Sequence, residues 1–169
     1  LEGYRDNPLF APAGLASLIS RAEHTVSAEQ PASVSRQHMC ATVVLLCIEP
    51  TTGRALWAHW GDSRLYCFRA DKVHRMTEDH SLVQQLLHAG IYQKDDLRQL
   101  PNRSVLSGAI GAHSQVPPTV LGEAIALEAG DAFLLCSDGL WENLQEADME
   151  AALSAADRPD AWLQQMVAS

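Results

Sequence analysis

The sequence has little positive charge. Against 21 aspartate and glutamate residues it carries 12 lysine and arginine residues, and the formal net charge is −9 over 169 residues. A nucleic-acid-binding protein needs a basic face for the phosphate backbone, and no basic run with interleaved aromatic residues occurs here. We therefore expect no nucleic-acid partner.

Long apolar runs and metal-finger spacings are also missing. No run is long enough to cross a membrane, and Leu1 does not begin a signal-peptide pattern. Seven histidines provide no HExxH motif and no Cys/His finger spacing. We expect a cytoplasmic monomer without membrane insertion. Four cysteines could form two disulfides, but they lie in or beside apolar runs and form no Cys-x-x-Cys pair, so we expect buried, reduced thiols at Cys40, Cys47, Cys67 and Cys136.

The apolar content of 47% is sufficient for one globular domain with a core. Apolar residues at helical spacing between residues 12 and 31 predict an amphipathic helix. Residues 42–48 and 55–60 predict two strands joined by a turn, the first of them buried on both faces. Residues 64–76 predict a hairpin that turns near Ala70-Asp71.

The second half of the chain begins with a predicted helix over residues 81–89. Asp79 is placed to cap this helix and Gly90 to end it. Residues 91–119 predict an irregular stretch, because they are polar and contain three prolines. A stretch of this length in a compact domain is usually functional or mobile.

Two more strands and two helices complete the predicted elements. Residues 124–131 and 132–136 predict a hairpin, and residues 145–154 predict a helix. Pro159 begins a last helix, whose expected apolar face comprises Trp162, Leu163, Met166 and Val167. Strands in a run with helices before and after them indicate an α+β fold.

Two aspartates follow predicted strands directly. Asp62 comes after the strand at 55–60, and Asp138 comes after the strand at 132–136. If these strands are neighbours and run the same way, both acids emerge at one edge of the sheet, where they can share a hard cation such as Mg²⁺ or Mn²⁺. Gly139 would allow a sharp turn after the ligand. Each aspartate is also compatible with an ordinary turn residue.

Two other hydrolase patterns fail at the Gly-Asp-Ser sequence. Arg64 and Leu65 follow Ser63, where a chymotrypsin-like oxyanion hole would need glycines. The nucleophile elbow G-x-S-x-G fails as well, because Leu65 occupies its last position. A serine nucleophile is therefore disfavoured.

The order of five sequence blocks identifies a family. The chain contains MCATVVLLCI, AHWGDSRLY, MTEDHSLVQQLLHAG, NRSVLSGAIG and LEAGDAFLLCSDGLWENL in this order. It closely resembles the PPM (PP2C-type) metal-dependent protein serine/threonine phosphatases in their compact bacterial form. The resemblance extends from about Pro12 to Ser169. It implies that residues 1–169 are the central part of one PP2C-like domain.

The resemblance implies a four-layer α-β-β-α sandwich, in which helices flank two antiparallel sheets. It further implies two Mn²⁺ or Mg²⁺ ions that activate a bridging water for attack on phosphoserine or phosphothreonine of a protein substrate. Asp138 matches a primary metal ligand of the family, and Asp62 matches an acid that helps to hold a third, weaker ion. Residues 91–119 would be the flap beside the substrate cleft.

The sequence departs from the family at two ligand blocks. The DGMGG-type block with its bridging aspartate and the Asp-Asn block both have no counterpart here. We therefore expect that this chain is the central part of an incomplete PP2C-like domain and is inactive when isolated. The alternative is a PPM-like pseudophosphatase or regulatory domain that binds a partner without hydrolysis.

Overall fold

A computed structural model describes residues 10–30, 38–93, 100, 104–114 and 116–168. The chain divides into two compact units. Residues 1–63 with 78–127 form the first unit, and residues 64–77 with 128–169 form the second. Each unit has its own antiparallel sheet and its own helices.

The described residues of the first unit form four strands and two helices. Helix α1 (Pro12–Glu29) has a proline in its first turn, where the missing N–H costs no hydrogen bond. The strands are β1 (Val43–Glu49), β2 (Arg54–Trp60), β5 (Thr119–Val120) and β6 (Ile125–Ala126), and helix α2 is Leu82–His88. Strand β2 pairs with all three others. The buried core of this unit consists of Leu15, Ile19, Leu56, Ala58, Trp60 and Ile110.

Two predictions for this unit need correction. Strand β1 is half-buried, and its Ile48 is 47% exposed, so the prediction of burial on both faces is wrong. The physical reason is position, because β1 is at the end of the strand order and pairs only with β2 among the described strands. Helix α2 is capped by Ser81, whose hydroxyl accepts the Gln84 N–H at 3.1 Å, and not by Asp79.

In the part of the second unit that the structure describes, there are three strands and three helices. Strand β3 (Arg64–Arg69) lies between β4 (Lys72–Met76) and β7 (Ala132–Cys136). Ala70 and Asp71 both have positive φ, as the predicted tight turn of the β3–β4 hairpin requires. The helices are α3 (Asp138–Trp141), α4 (Glu146–Ser154) and α5 (Pro159–Ala168). The buried core comprises Tyr66, Phe68, Trp141, Leu144, Met149, Ala152, Trp162 and Met166.

The predicted hairpin over residues 124–136 is wrong. Strand β6 pairs with β2 and strand β7 pairs with β3, so the two strands belong to different sheets. Alternating hydrophobicity marks a strand but carries no information about its partner, which depends on residues far away in the chain.

Two predictions of burial are also wrong in part. On α5, Trp162 and Met166 are buried as expected, whereas Leu163 and Val167 are exposed. The four cysteines, all predicted to be buried, differ in their exposure: Cys67 is buried, Cys47 and Cys136 are half-buried and Cys40 is exposed.

The α+β fold class is confirmed, with two antiparallel sheets and flanking helices. The part of residues 91–119 that the structure describes is irregular apart from two isolated bridges and the start of β5, and its role as a flap remains a prediction. Among all described residues, no helix has both the length and the apolar character for a membrane span.

Candidate active site

The Gly-Asp-Ser-Arg segment connects the two sheets. Strand β2 ends at Trp60 and strand β3 begins at Arg64. These two strands belong to different sheets and do not pair with each other. Gly61 has a φ of +116°, and a Cβ atom there would lie 2.4 Å from Cγ2 of Thr42. The Thr42 and Ser63 hydroxyl oxygens are 2.8 Å apart and share a hydrogen bond. The bend that carries Asp62 is therefore fixed by close contact with the residue before β1.

A pair of buried histidines supports this bend. The rings of His59 and His80 are in contact with centroids 4.7 Å apart and planes tilted by 31°, and both residues are buried. Nδ1 of His80 accepts the Gly61 N–H at 3.1 Å, so its Nε2 carries the proton that faces the Thr119 hydroxyl oxygen at 2.9 Å. Sequence analysis missed this pair, although His59 is the one polar residue in the predicted strand at 55–60.

Burial also sets the charge state of both rings. It lowers the pKa of His80 to about 4, and the neighbouring His59 adds to this effect. Burial likewise lowers the pKa of His59, in spite of the 2.7 Å hydrogen bond between its Nε2 and the Glu78 carbonyl oxygen. Both rings are therefore neutral at pH 7, and the bend contains no buried positive charge from them.

The free energy of unfolding is expected to decrease as the pH falls from about 6.5 to about 4. In this window the unfolded chain binds protons on histidines that stay neutral in the folded chain, so acid favours unfolding. Each such histidine adds up to one proton to the difference in the number of bound protons between the unfolded and the folded chain. Urea unfolding at a series of pH values measures the slope.

The variant His80→Asn provides the control, because the asparagine oxygen can accept the Gly61 N–H without titrating. We expect lower stability at pH 8 and a shallower loss between pH 6.5 and 4. An unchanged slope would contradict the assignment of this pH dependence to His80.

Asp138 lies two residues beyond the end of β7, at the first position of α3. Its Oδ1 accepts the Gly139 N–H at 2.8 Å, and no described residue bonds to its Oδ2. The Gly139 carbonyl oxygen in turn accepts the Asn143 side-chain amide at 2.9 Å. Gly139 has no positive φ, so the prediction of a sharp glycine turn is wrong and the chain enters a helical turn instead.

The two predicted ligands do not emerge from one sheet edge. Asp62 follows β2 in the first sheet and Asp138 follows β7 in the second, so the condition of neighbouring strands, under which both acids would share one sheet edge, is not met. Short turns between consecutive strands do not determine which strands pair with each other. Strand partners decide the matter, and β2 and β7 have none in common.

The donor chemistry at Asp138 fits a hard cation in part. A half-buried carboxylate with one oxygen bonded to a backbone amide can serve as a single ligand for Mn²⁺ or Mg²⁺. Within the described ranges, however, no group of three or more His, Cys, Asp or Glu side chains is arranged to hold a metal ion. Asp138 can thus contribute one ligand to a site that needs others.

A family model described as stage II sporulation protein E (SpoIIE) matches residues 5–169. The chain belongs to the PPM (PP2C-type) phosphatase family. The serine/threonine phosphatase stp of Listeria innocua serovar 6a is 38% identical to it over 98 residues. This alignment covers 58% of the present chain and 38% of the Listeria protein.

Solved structures of PPM phosphatases share the fold. The serine/threonine phosphatase of S. agalactiae superposes with a TM-score of 0.81 and 27% identity, over 92% of this chain and 62% of its own. The catalytic domain of PstP, solved with two manganese ions, has a TM-score of 0.68 and 24% identity, over 90% of this chain and 63% of its own. The PPM family is metal-dependent. The present chain spans less than two thirds of the length of each of these three relatives.

Proposed function

We propose that this PPM chain is part of a metal-dependent protein phosphatase that hydrolyses phosphoserine and phosphothreonine in protein substrates. The observation that carries the proposal is Asp138, which lies two residues after β7 in a PPM fold and has its Oδ1 bonded to the Gly139 N–H. Strand β7 is paired with β3 over its whole length, and its end fixes where the turn that carries Asp138 begins.

The proposed cofactor is Mn²⁺ or Mg²⁺, with two ions at the main site and a third, weaker one. We assign Asp138 to the main site and Asp62 to the third ion. Bound ions of this charge neutralise phosphoryl oxygens and lower the pKa of water. The chain's own contribution is orientation: the Gly139 N–H fixes Oδ1 of Asp138, and the pairing of Gly61 with His80 fixes the backbone next to Asp62.

The flap assignment of residues 91–119, a monomeric state and a cytoplasmic location also remain predictions. The net charge of −9 accords with a cation-assisted enzyme, because an acidic surface repels a phosphoprotein unless metal ions compensate for it. No described contact favours the alternative of a pseudophosphatase or regulatory domain.

The test is hydrolysis of para-nitrophenyl phosphate by the protein expressed from the whole reading frame, with Mn²⁺ and with a chelator. We expect turnover that rises with Mn²⁺ concentration and disappears with the chelator. Phosphoserine and phosphothreonine peptides should be hydrolysed in preference to a phosphotyrosine peptide. Folded protein without metal-dependent turnover would overturn the proposal and favour the binding role.

A further inference from the structure

Arg64 and Trp141 form a buried pair next to the turn that carries Asp138. The guanidinium carbon of Arg64 lies 3.6 Å from the centroid of the Trp141 ring. Arg64 is 4% exposed and Trp141 is 3% exposed. A cation over an indole face is attracted by the electrons of the ring, and the attraction is strongest where water is excluded.

The other side of the guanidinium group is held as well. Its Nη1 donates a hydrogen bond to the Tyr66 hydroxyl oxygen at 3.0 Å and lies 3.8 Å from Oε1 of Glu146. The Tyr66 hydroxyl in turn donates to this same oxygen at 3.4 Å. These contacts fix the position of the Arg64 side chain, because Tyr66 is fully buried on β3.

The turn next to this pair cannot be rigid by itself. Helix α3 is only four residues long, and a single helical turn is unstable without tertiary contacts. Trp141 is the buried residue of this helix and lies three positions after Asp138, hence one turn further along. The orientation of the Asp138 carboxylate therefore depends on how firmly Trp141 is held.

We propose that Arg64 is a positioning residue for Asp138. Arg64 holds the indole of Trp141 against β3, and Trp141 in turn fixes the helical turn that carries Asp138. The consequence for metal affinity rests on the proposed function. Arg64 itself touches neither metal nor substrate in this role. The Gly-Asp-Ser-Arg segment then has two roles: it contains Asp62, and its Arg64 holds the turn that carries Asp138.

The first experiment measures hydrogen exchange of the present chain with and without Arg64→Met. Methionine keeps most of the buried volume but removes the charge and the planar stacking group. We expect amide exchange in residues 138–144 to become faster, on the order of tenfold, with a smaller change in the β3–β4 hairpin. Unchanged exchange in residues 138–144, or an equal increase throughout the second unit, would overturn the proposal.

The matched control is Arg69→Met, the same substitution at the other end of the same strand. Arg69 pairs with Asp131 at 2.7 Å and with Glu128 at 2.7 Å, so its removal also breaks a charged network. Faster exchange in residues 138–144 of this control, to the same extent as in Arg64→Met, would show a general loss of stability and overturn the specific role of Arg64.

The second experiment determines the Mn²⁺ dependence of turnover in the protein from the whole reading frame. In Arg64→Met the Mn²⁺ concentration for half-maximal rate should rise about tenfold, whereas the rate at saturating Mn²⁺ should fall much less. Arg64→Lys should give a similar rise, because an ammonium group keeps the charge without the planar stack.

The outcomes separate this inference from the proposed function. A wild-type protein that shows no response to Mn²⁺ would overturn the proposed function and with it any effect of Arg64 on metal binding. A wild-type response that is unchanged in Arg64→Met would overturn the role of Arg64 alone.

Discussion

Asp138→Asn is expected to lower metal-dependent phosphatase activity by at least about 100-fold, because changes to residues that only support a metal ligand already cost about 10- to 100-fold. The substitution replaces a charged oxygen donor by a neutral amide. The measurement is the Mn²⁺-dependent hydrolysis rate of the protein from the whole reading frame. Near-normal activity would contradict the assignment of Asp138 as a ligand.

The loss of activity should not reflect unfolding. The described hydrogen bond of the Asp138 side chain is the one from the adjacent Gly139 N–H, and an asparagine oxygen can accept it too. The free energy of unfolding should therefore change by no more than about 0.5 kcal/mol. Asp71→Asn is the matched control, since it removes the same charge from an exposed turn with positive φ that asparagine adopts readily.

Asp62→Asn should have a different effect from Asp138→Asn. Because Asp62 is assigned to the weaker third ion, its substitution should leave the Mn²⁺ affinity of the main site nearly unchanged and lower the rate at saturating metal. Titration of the rate with Mn²⁺ separates the two quantities. An equal shift of affinity in both variants would contradict the division of roles.

Gly61→Ala is expected to destabilise the protein by about 2 to 5 kcal/mol, the sum of a strained backbone and an overpacked contact. The added Cβ would lie 2.4 Å from Cγ2 and 2.6 Å from Cβ of Thr42, and the φ of +116° disfavours any L-residue. Both hydrogen bonds between Gly61 and His80 would be disturbed as the backbone moves. Urea unfolding at pH 8 measures the loss.

Gly53→Ala isolates the contribution of the contact. Gly53 also has a positive φ, +59°, but a Cβ atom there meets no atom within 4 Å. Its substitution should cost only about 1 to 2 kcal/mol of backbone strain. Equal losses for Gly53→Ala and Gly61→Ala would show that the approach of Thr42 contributes nothing.

The local elements of this protein could be predicted from its sequence. The helix at Pro12–Glu29, the strand at Arg54–Trp60 and the hairpin turn at Ala70-Asp71 all follow from spacing and turn chemistry within a few residues. The family also follows from the sequence, because five ordered blocks are far more specific than any one of them. Asp138 was recognisable as a candidate ligand for the same reason.

The tertiary structure alone decided which elements meet. It assigns β6 and β7 to different sheets, brings the rings of His59 and His80 into contact and places the Arg64 guanidinium over Trp141, 77 positions further along the chain. None of these pairings leaves a trace in hydrophobic periodicity, which reports the exposure of a segment to its immediate surroundings. Partner choice depends instead on the fit of residues from distant parts of the chain, and that fit exists only once the chain has folded.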